Sequence, residues 1–146
     1  MSASNAFETS LLTLLYNNTN IANIGDATGV RGSTVAGSHY IGLHTADPGE
    51  AGTQSTSEAT YTGYARVAVA RSSAGFTIAG NNVSNAAIVT FGTCTAGSNT
   101  ITHFSVGTAL SGVGDLLFKG ALTASLAVST GIAPQFAIGE LDNNVD

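Results

Sequence analysis

Lysine, cysteine and methionine each occur once in this 146-residue chain, proline twice and tryptophan not at all. Each shortage excludes something. The lone cysteine, Cys94, has no partner for an intrachain disulfide. In the run FGTCTAG, beside a turn, it reads as a small half-buried residue. The three histidines, His39, His44 and His103, lack the local spacing of a zinc site, and no calcium loop is present. The basic residues are Arg31, Arg66, Arg71 and Lys119, against nine acids, for a net charge of −5. No basic patch can form, which argues against binding nucleic acid through its phosphates and against an anionic membrane surface. No stretch approaches the roughly 20 apolar residues of a membrane span. The N-terminus has no basic region ahead of its apolar residues, so the expectation is synthesis and folding in a cytoplasm. Without tryptophan, and with four tyrosines, the aromatic faces on which sugars stack are scarce.

Charged residues make up 9% of the chain, where soluble domains average about 25%. Hydrophobic residues reach 43%, with a mean hydropathy of +0.24. The polar surface must therefore be mostly Ser, Thr, Asn, Gly and backbone. Such a surface loses little hydration when it is covered and repels its own copies weakly. It suits a protein packed against a partner or against itself. The length fits a single domain, 1–146, large enough to bury roughly 68–70% of its unfolded surface.

Residues 1–16 predict a helix. Asn5 and Glu8 have capping-box spacing, and Phe7, Leu11, Leu14 and Leu15 form one apolar stripe. Asn17 and Asn18 end it. About three turns are marginal alone, so the stripe must dock on something, and it is a candidate contact face. Residues 17–38 read as a loop or arm. Its GDATGVRGST run resembles a phosphate loop only superficially, because the Gly-Lys-Ser/Thr ending is missing and its one cation is Arg31.

From residue 39 the hydrophobic period becomes two. Strands are expected at 39–45, 64–72, 75–79, 86–92, 100–106, 115–122, 124–129 and 134–141, with breaks rich in Gly, Ser, Asn and Thr. The closing LDNNVD is expected to fray into solvent. The pattern predicts a mainly β fold: an antiparallel sandwich or jelly roll over 39–146, after one short N-terminal helix. No second helix appears, which disfavours a βαβ fold.

Two segments carry the chemistry-bearing residues. In YIGLHTADPG, His44 and Asp47 lie three apart, but Asp47-Pro48-Gly49 has the composition of a β-turn. The expectation is an aspartate bonded to its own turn and a packed histidine. A His–Asp pair completed by a distant serine is the enzymatic alternative, although no Gly-x-Ser-x-Gly elbow singles one out. A carboxylate pair for glycoside hydrolysis would have to converge from among Asp47, Glu50, Glu58 and Asp115. In YTGYARVAVAR, a fixed Arg66 or Arg71 would suit a carboxylate, with Glu58 a nearby candidate, or would simply solubilise a strand. No catalytic, cofactor-binding or metal-binding residue is assigned.

The run L-H-T-A-D-P-G-E-A-G at 43–52, a short polar spacer, and E-A-T-Y-T-G-Y-A-R at 58–66 resemble a family of small tailed-bacteriophage virion proteins. Members occur as capsid cement or decoration proteins, and related sequences as tail or tail-fibre proteins. The resemblance implies a jelly-roll-like β-sandwich, assembled as dimers or trimers on the outside of an icosahedral capsid. There it would bridge and stabilise neighbouring copies of the major capsid protein. It brings no enzyme activity and no cofactor. Leu43, His44, Asp47, Pro48, Gly49, Tyr61, Gly63 and Tyr64 then look like fold determinants. The expected contact elements are the face of Phe7, Leu11, Leu14 and Leu15, the 25–38 loop with Arg31, the arginine at Arg66, and any exposed sheet edge. The second reading is a tail-fibre or minor tail protein contacting the host surface. A third is a small β-sandwich enzyme or binding module using His44 and Asp47.

Overall fold

A computed structural model describes residues 2–145. The chain is mainly β, its sheets antiparallel, with one N-terminal helix, consistent with a β-sandwich. In order the elements are α1 (Asn5–Asn17), β1 (Ser38–His44), β2 (Val67–Ala70), β3 (Phe76–Ala79), β4 (Asn82–Asn85), β5 (Val89–Thr90), β6 (Asn99–Gly107), β7 (Leu116–Val128), β8 (Gln135–Phe136) and β9 (Asp142–Asn144). They pack as two compact units. One holds the described residues up to Ser38, Ala70–Ile88 and those from Phe136 onward. The other holds His39–Val69 and Val89–Gln135.

In the first unit α1 lies on the β3-β4-β9 sheet. Its cap is Ser4, one residue earlier than the capping-box spacing implied. The Ser4 hydroxyl faces the Phe7 N–H, and the Ser4 carbonyl takes the Phe7 and Glu8 N–H groups at 2.9 and 3.0 Å. Ser4→Ala is expected to cost about 1 kcal/mol, read as a lower thermal midpoint by circular dichroism. No drop would assign the cap to the backbone alone.

The buried face of the helix also differs from the expected stripe. Glu8, Leu12 and Tyr16 are buried, Phe7 is 44% exposed, and Leu11, Leu14 and Leu15 are half-buried. Residues 8, 12 and 16 sit four apart, so they follow one ridge. The partner sheet selects that ridge: the Tyr16 ring meets Phe76 edge-on at 4.8 Å, and Thr9 Oγ1 donates to the Gly80 carbonyl. The helix ends at Asn18, with a left-handed φ of 55°. It has no basic residue in its last turn, but Arg71 supplies the charge from β2's far end. Its guanidinium donates to the Leu15 and Leu14 carbonyls at 2.7 and 3.0 Å. A cation there also meets the negative end of the helix dipole.

Strand β4 falls in the gap between the strands expected at 75–79 and 86–92. Asn-Val-Ser-Asn is a poor strand former, yet it alternates inward at Val83 and Asn85. The tail is likewise ordered, not frayed, over residues 141–145; Asp146 lies outside the described residues. Leu141 is 2% exposed, its N–H donates to Asn85 Oδ1 at 2.9 Å, and β9 pairs with β4. The single side chain of Asn85 also donates to the Ala87 and Ala137 carbonyls, so one buried amide holds three backbone segments.

In the second unit a four-stranded sheet runs in the order β2-β1-β6-β7. β1 and β6 pair from Tyr40 opposite Gly107 to His44 opposite His103. Both faces of this central pair are covered, since 41–44 and 104–107 are buried without a break. Ile41, Leu43, Tyr61, Phe91, Ile101, Phe104, Val106 and Val128 form its core. The two strands expected at 115–122 and 124–129 are one, β7. The strand expected at 134–141 shortens to β8 because Gly139, at φ 81°, turns the chain.

Candidate functional site

The two quoted segments meet at the end of β1. Thr45 N–H donates to the Ser57 carbonyl at 2.8 Å and Ala59 N–H to the Leu43 carbonyl at 2.9 Å. The 57–59 segment thus runs alongside β1 and carries Glu58 against it, opposite His44. The turn between is fixed by its own residues. Asp47 Oδ1 accepts the Gly49 N–H at 2.8 Å, Pro48 is buried, and Gly49 has φ 74°. That bond, then Lys119, holds the Asp47 carboxyl below the usual carboxylate range. Lys119 bridges Asp47 and Glu50 at 3.0 and 3.3 Å.

His44 goes elsewhere. It is wholly buried, with Nδ1 2.8 Å from the Thr56 carbonyl and Nε2 2.7 Å from Ser105 Oγ. A carbonyl only accepts, so Nδ1 carries the proton and Nε2 accepts from the serine hydroxyl. This is a serine–histidine pair at hydrogen-bonding distance, the geometry that activates a nucleophile. Here, however, Ser105 is also wholly buried, and the histidine's other nitrogen faces a backbone carbonyl instead of Asp47. A hydroxyl without exposed surface presents nothing to a substrate.

Burial pushes the His44 pKa below its ordinary 6.5, against the Thr56 bond and Glu58, which favour the charged form; Arg66 and His103 add to the depression. The unfolded chain therefore takes up a proton that the folded one refuses as pH falls below 6.5. Stability contributed by neutral His44 is present above that pH and is lost in acid. The wild-type chain is expected to lose stability more steeply than His44→Gln between pH 6.5 and about 5, in denaturant titrations at stepped pH. Parallel slopes would remove His44 from the acid response.

The second segment supplies the charged centre. Tyr61 is 3% exposed, and its hydroxyl donates to the Gly92 carbonyl. Gly63 has φ 103°, and a Cβ there would lie 2.2 Å from the Thr93 carbonyl oxygen, so only glycine fits. Arg66 is 5% exposed. Its Nε and Nη2 hold the two Glu58 oxygens at 2.6 and 2.7 Å, while Nη1 and Nη2 donate to the Ala109 and Gly112 carbonyls. The Tyr64 hydroxyl donates to Glu58 Oε1 at 2.9 Å and accepts the Leu43 N–H at 3.0 Å. Burial raises the Tyr64 pKa, keeping it a donor. A groove of about 250 Å³ opens over this cluster, bordered by Leu110 and Ser111. The guanidinium fork is already filled by Glu58, so it offers no second carboxylate a bidentate seat.

Arg66, expected as a contact residue, is thus turned inward. Of the other expected contact residues, Phe7 and Arg31 are exposed, and Leu11, Leu14 and Leu15 are half-buried. The GDATGVRGST run closes on itself. Asp26 Oδ1 accepts from Thr28 and Gly29, and Ile21 bridges Val30. Of the four acids weighed as a carboxylate pair, Glu58 holds Arg66, Asp47 and Glu50 converge on Lys119 with its ammonium between them, and Asp115 lies beside Thr53 and Thr108. Among the described residues no three His, Cys, Asp or Glu side chains converge as a metal site.

Four structural polar residues carried no sequence signal: the buried Gln54, Asn85 and Ser105 and the half-buried Asn99. Gln54 is wholly buried. It donates to the Tyr40 carbonyl and accepts the Ala109 N–H, filling the space that a side chain at Gly107 would need. Asn99 Oδ1 takes the Thr60 and Tyr61 N–H groups at 2.7 and 2.9 Å. Among so many Ser, Asn and Gln residues, composition has no way to mark these four.

A family model described as "Podophage GP4 fiber I protein gp80" matches residues 2–144. No curated protein matches the chain.

Proposed function

Belonging to the podophage GP4 fiber I protein gp80 family makes this chain a bacteriophage structural virion protein, and we propose that its place is in a fibre instead of on the capsid. The motif at 43–52 and 58–66 had implied capsid cement first and a tail fibre second. The match over residues 2–144, to a family described by its fibre, favours the second and carries the proposal. The geometry is compatible. Arg66, Arg71 and Lys119 are all engaged within the chain, and Glu58, Asp47 and Glu50 with them. What remains outside includes many Ser, Thr, Asn and Gly residues and large apolar side chains such as Val35, Val113 and Ile138, which lose little hydration on packing against neighbours. In this reading the protein acts by binding and not by catalysis. Its partners are adjacent virion proteins and further copies of itself, and neither nucleic acid nor membrane is among them. In this reading the major capsid protein is not its direct partner.

The test is position and copy number in purified particles. Gold-labelled antibody is expected on the fibres, with a copy number at most a few per cent of the coat protein by quantitative mass spectrometry. Label spread over the head, with copies on the order of the coat protein, would restore the cement assignment. Absence from particles would overturn both.

A further inference from the structure

We infer that Arg31–Gly32 is a cleavage site: the one peptide bond of the folded chain open to a protease of the trypsin class, and one whose hydrolysis leaves both pieces bound. Such a protease draws a whole arginine or lysine side chain into an acidic pocket and lays the residues on either side along its cleft as extended backbone. The chain offers four such side chains, Arg31, Arg66, Arg71 and Lys119, and none is followed by proline. Burial and hydrogen bonding separate them.

Three are locked into the fold. Arg66 is buried, and freeing its guanidinium would take the donors from Glu58 and from the Ala109 and Gly112 carbonyls. Arg71 donates to the Leu14, Leu15 and Ala36 carbonyls, and its own N–H to the Gly37 carbonyl. Lys119 lies inside β7, opposite Ser105 of β6, with its ammonium held by Asp47 and Glu50. A cut at any of the three requires packed structure to come apart first.

Arg31 is placed differently. It is exposed, in the stretch between α1 and β1, and residues 22–28 and 33–35 around it are exposed as well. Exposed loops of this kind are where folded chains are nicked. The bonds that shape the stretch are few and local. Ile21 and Val30 exchange backbone hydrogen bonds at 2.9 Å, the Gly32 N–H donates to Asn20 Oδ1 at 2.8 Å, and the Ser33 N–H donates to Asn18 Oδ1 at 2.7 Å. None of the side chains at 30–33 is buried, so opening this stretch costs far less than opening a sheet.

Hydrolysis adds one water across the amide, leaving a carboxylate on Arg31 and an ammonium on Gly32, with no change in net charge. The contacts that hold the N-terminal piece lie away from the cut. Leu12 and Tyr16 are wholly buried, and Thr9 Oγ1 donates to the Gly80 carbonyl. Arg71, on the other side of the cut, grips the Leu14 and Leu15 carbonyls. A protease of this class therefore nicks the chain without dismantling it. The inference does not depend on where in the virion the chain sits.

The test uses the purified full-length chain and trypsin at a low ratio. Mass spectrometry is expected to find a single early cut, after Arg31, and the two pieces should co-elute in gel filtration without denaturant. The heat-unfolded chain should be cut after all four residues. Arg31→Gln, folded by circular dichroism, should lose intact chain about tenfold more slowly or less, because its remaining sites open only with the fold. A first cut after Arg66, Arg71 or Lys119 overturns the inference, and so does a wild-type chain as resistant as Arg31→Gln. An unfolded chain still cut after Arg31 alone overturns it too, since the fold would then not be what shields the others. Pieces that separate without denaturant overturn it as well.

Discussion

Arg66→Ala is expected to lower the unfolding free energy by about 3–5 kcal/mol, the range for removing one partner of a buried ion pair. The side chain of Arg66 is 2% exposed and that of Glu58 is 19%. Truncation leaves the Glu58 carboxylate half-enclosed with only the Tyr64 hydroxyl, and strips donors from the Ala109 and Gly112 carbonyls. Arg66→Lys should recover little, because an ammonium cannot reproduce two parallel N–H bonds together with two carbonyl contacts. A double variant, Arg66→Met with Glu58→Leu, should be less damaged than Arg66→Ala, because no charge is then left unpaired. Denaturant unfolding of the four chains, with exchange at the β1 and β6 amides, checks the set. A loss below about 1 kcal/mol for Arg66→Ala would mean that water screens the pair as it does a surface one.

Leu12→Ala is expected to cost about 2–5 kcal/mol, the span for a buried leucine that leaves a cavity. Phe7→Ala should stay within about 0.5 kcal/mol, as exposed positions do. Leu12 has no exposed surface and sits between Glu8 and Tyr16 on the docked ridge, whereas Phe7 is 44% exposed. Exchange at the β3 and β4 amides should rise in Leu12→Ala alone. The reverse order of effects would restore the ridge read from the sequence.

That ridge shows where the sequence stops being legible. Residues 1–16 contain enough leucine for two overlapping stripes, 7-11-14-15 and 8-12-16, and the second includes a glutamate and a tyrosine. Hydrophobicity alone prefers the first. What favours the second is the surface opposite, where Phe76 faces Tyr16 and the Gly80 carbonyl takes the Thr9 hydroxyl. The Asp47-Pro48-Gly49 turn was legible for the opposite reason. Its bond joins residues two apart, and Pro and Gly limit their own backbone angles wherever they occur. The Arg66–Glu58 pair lies between, since the residue types and their nearness were visible. Enclosure by Ala109 and Gly112, some 45 residues on, was not.

Local chemistry therefore settled what the chain is made of: one capped N-terminal helix, then short antiparallel strands between Gly, Ser and Asn turns. Those features depend on neighbours within a few residues, and the sequence displays them directly. Long-range packing settled which polar residues turn inward. Of many serines, asparagines and glutamines, Ser105, Asn85 and Gln54 are buried because distant strands bring a histidine nitrogen or unpaired backbone groups to them. A buried polar group is tolerated only where its partner already waits, and no local pattern records where that is.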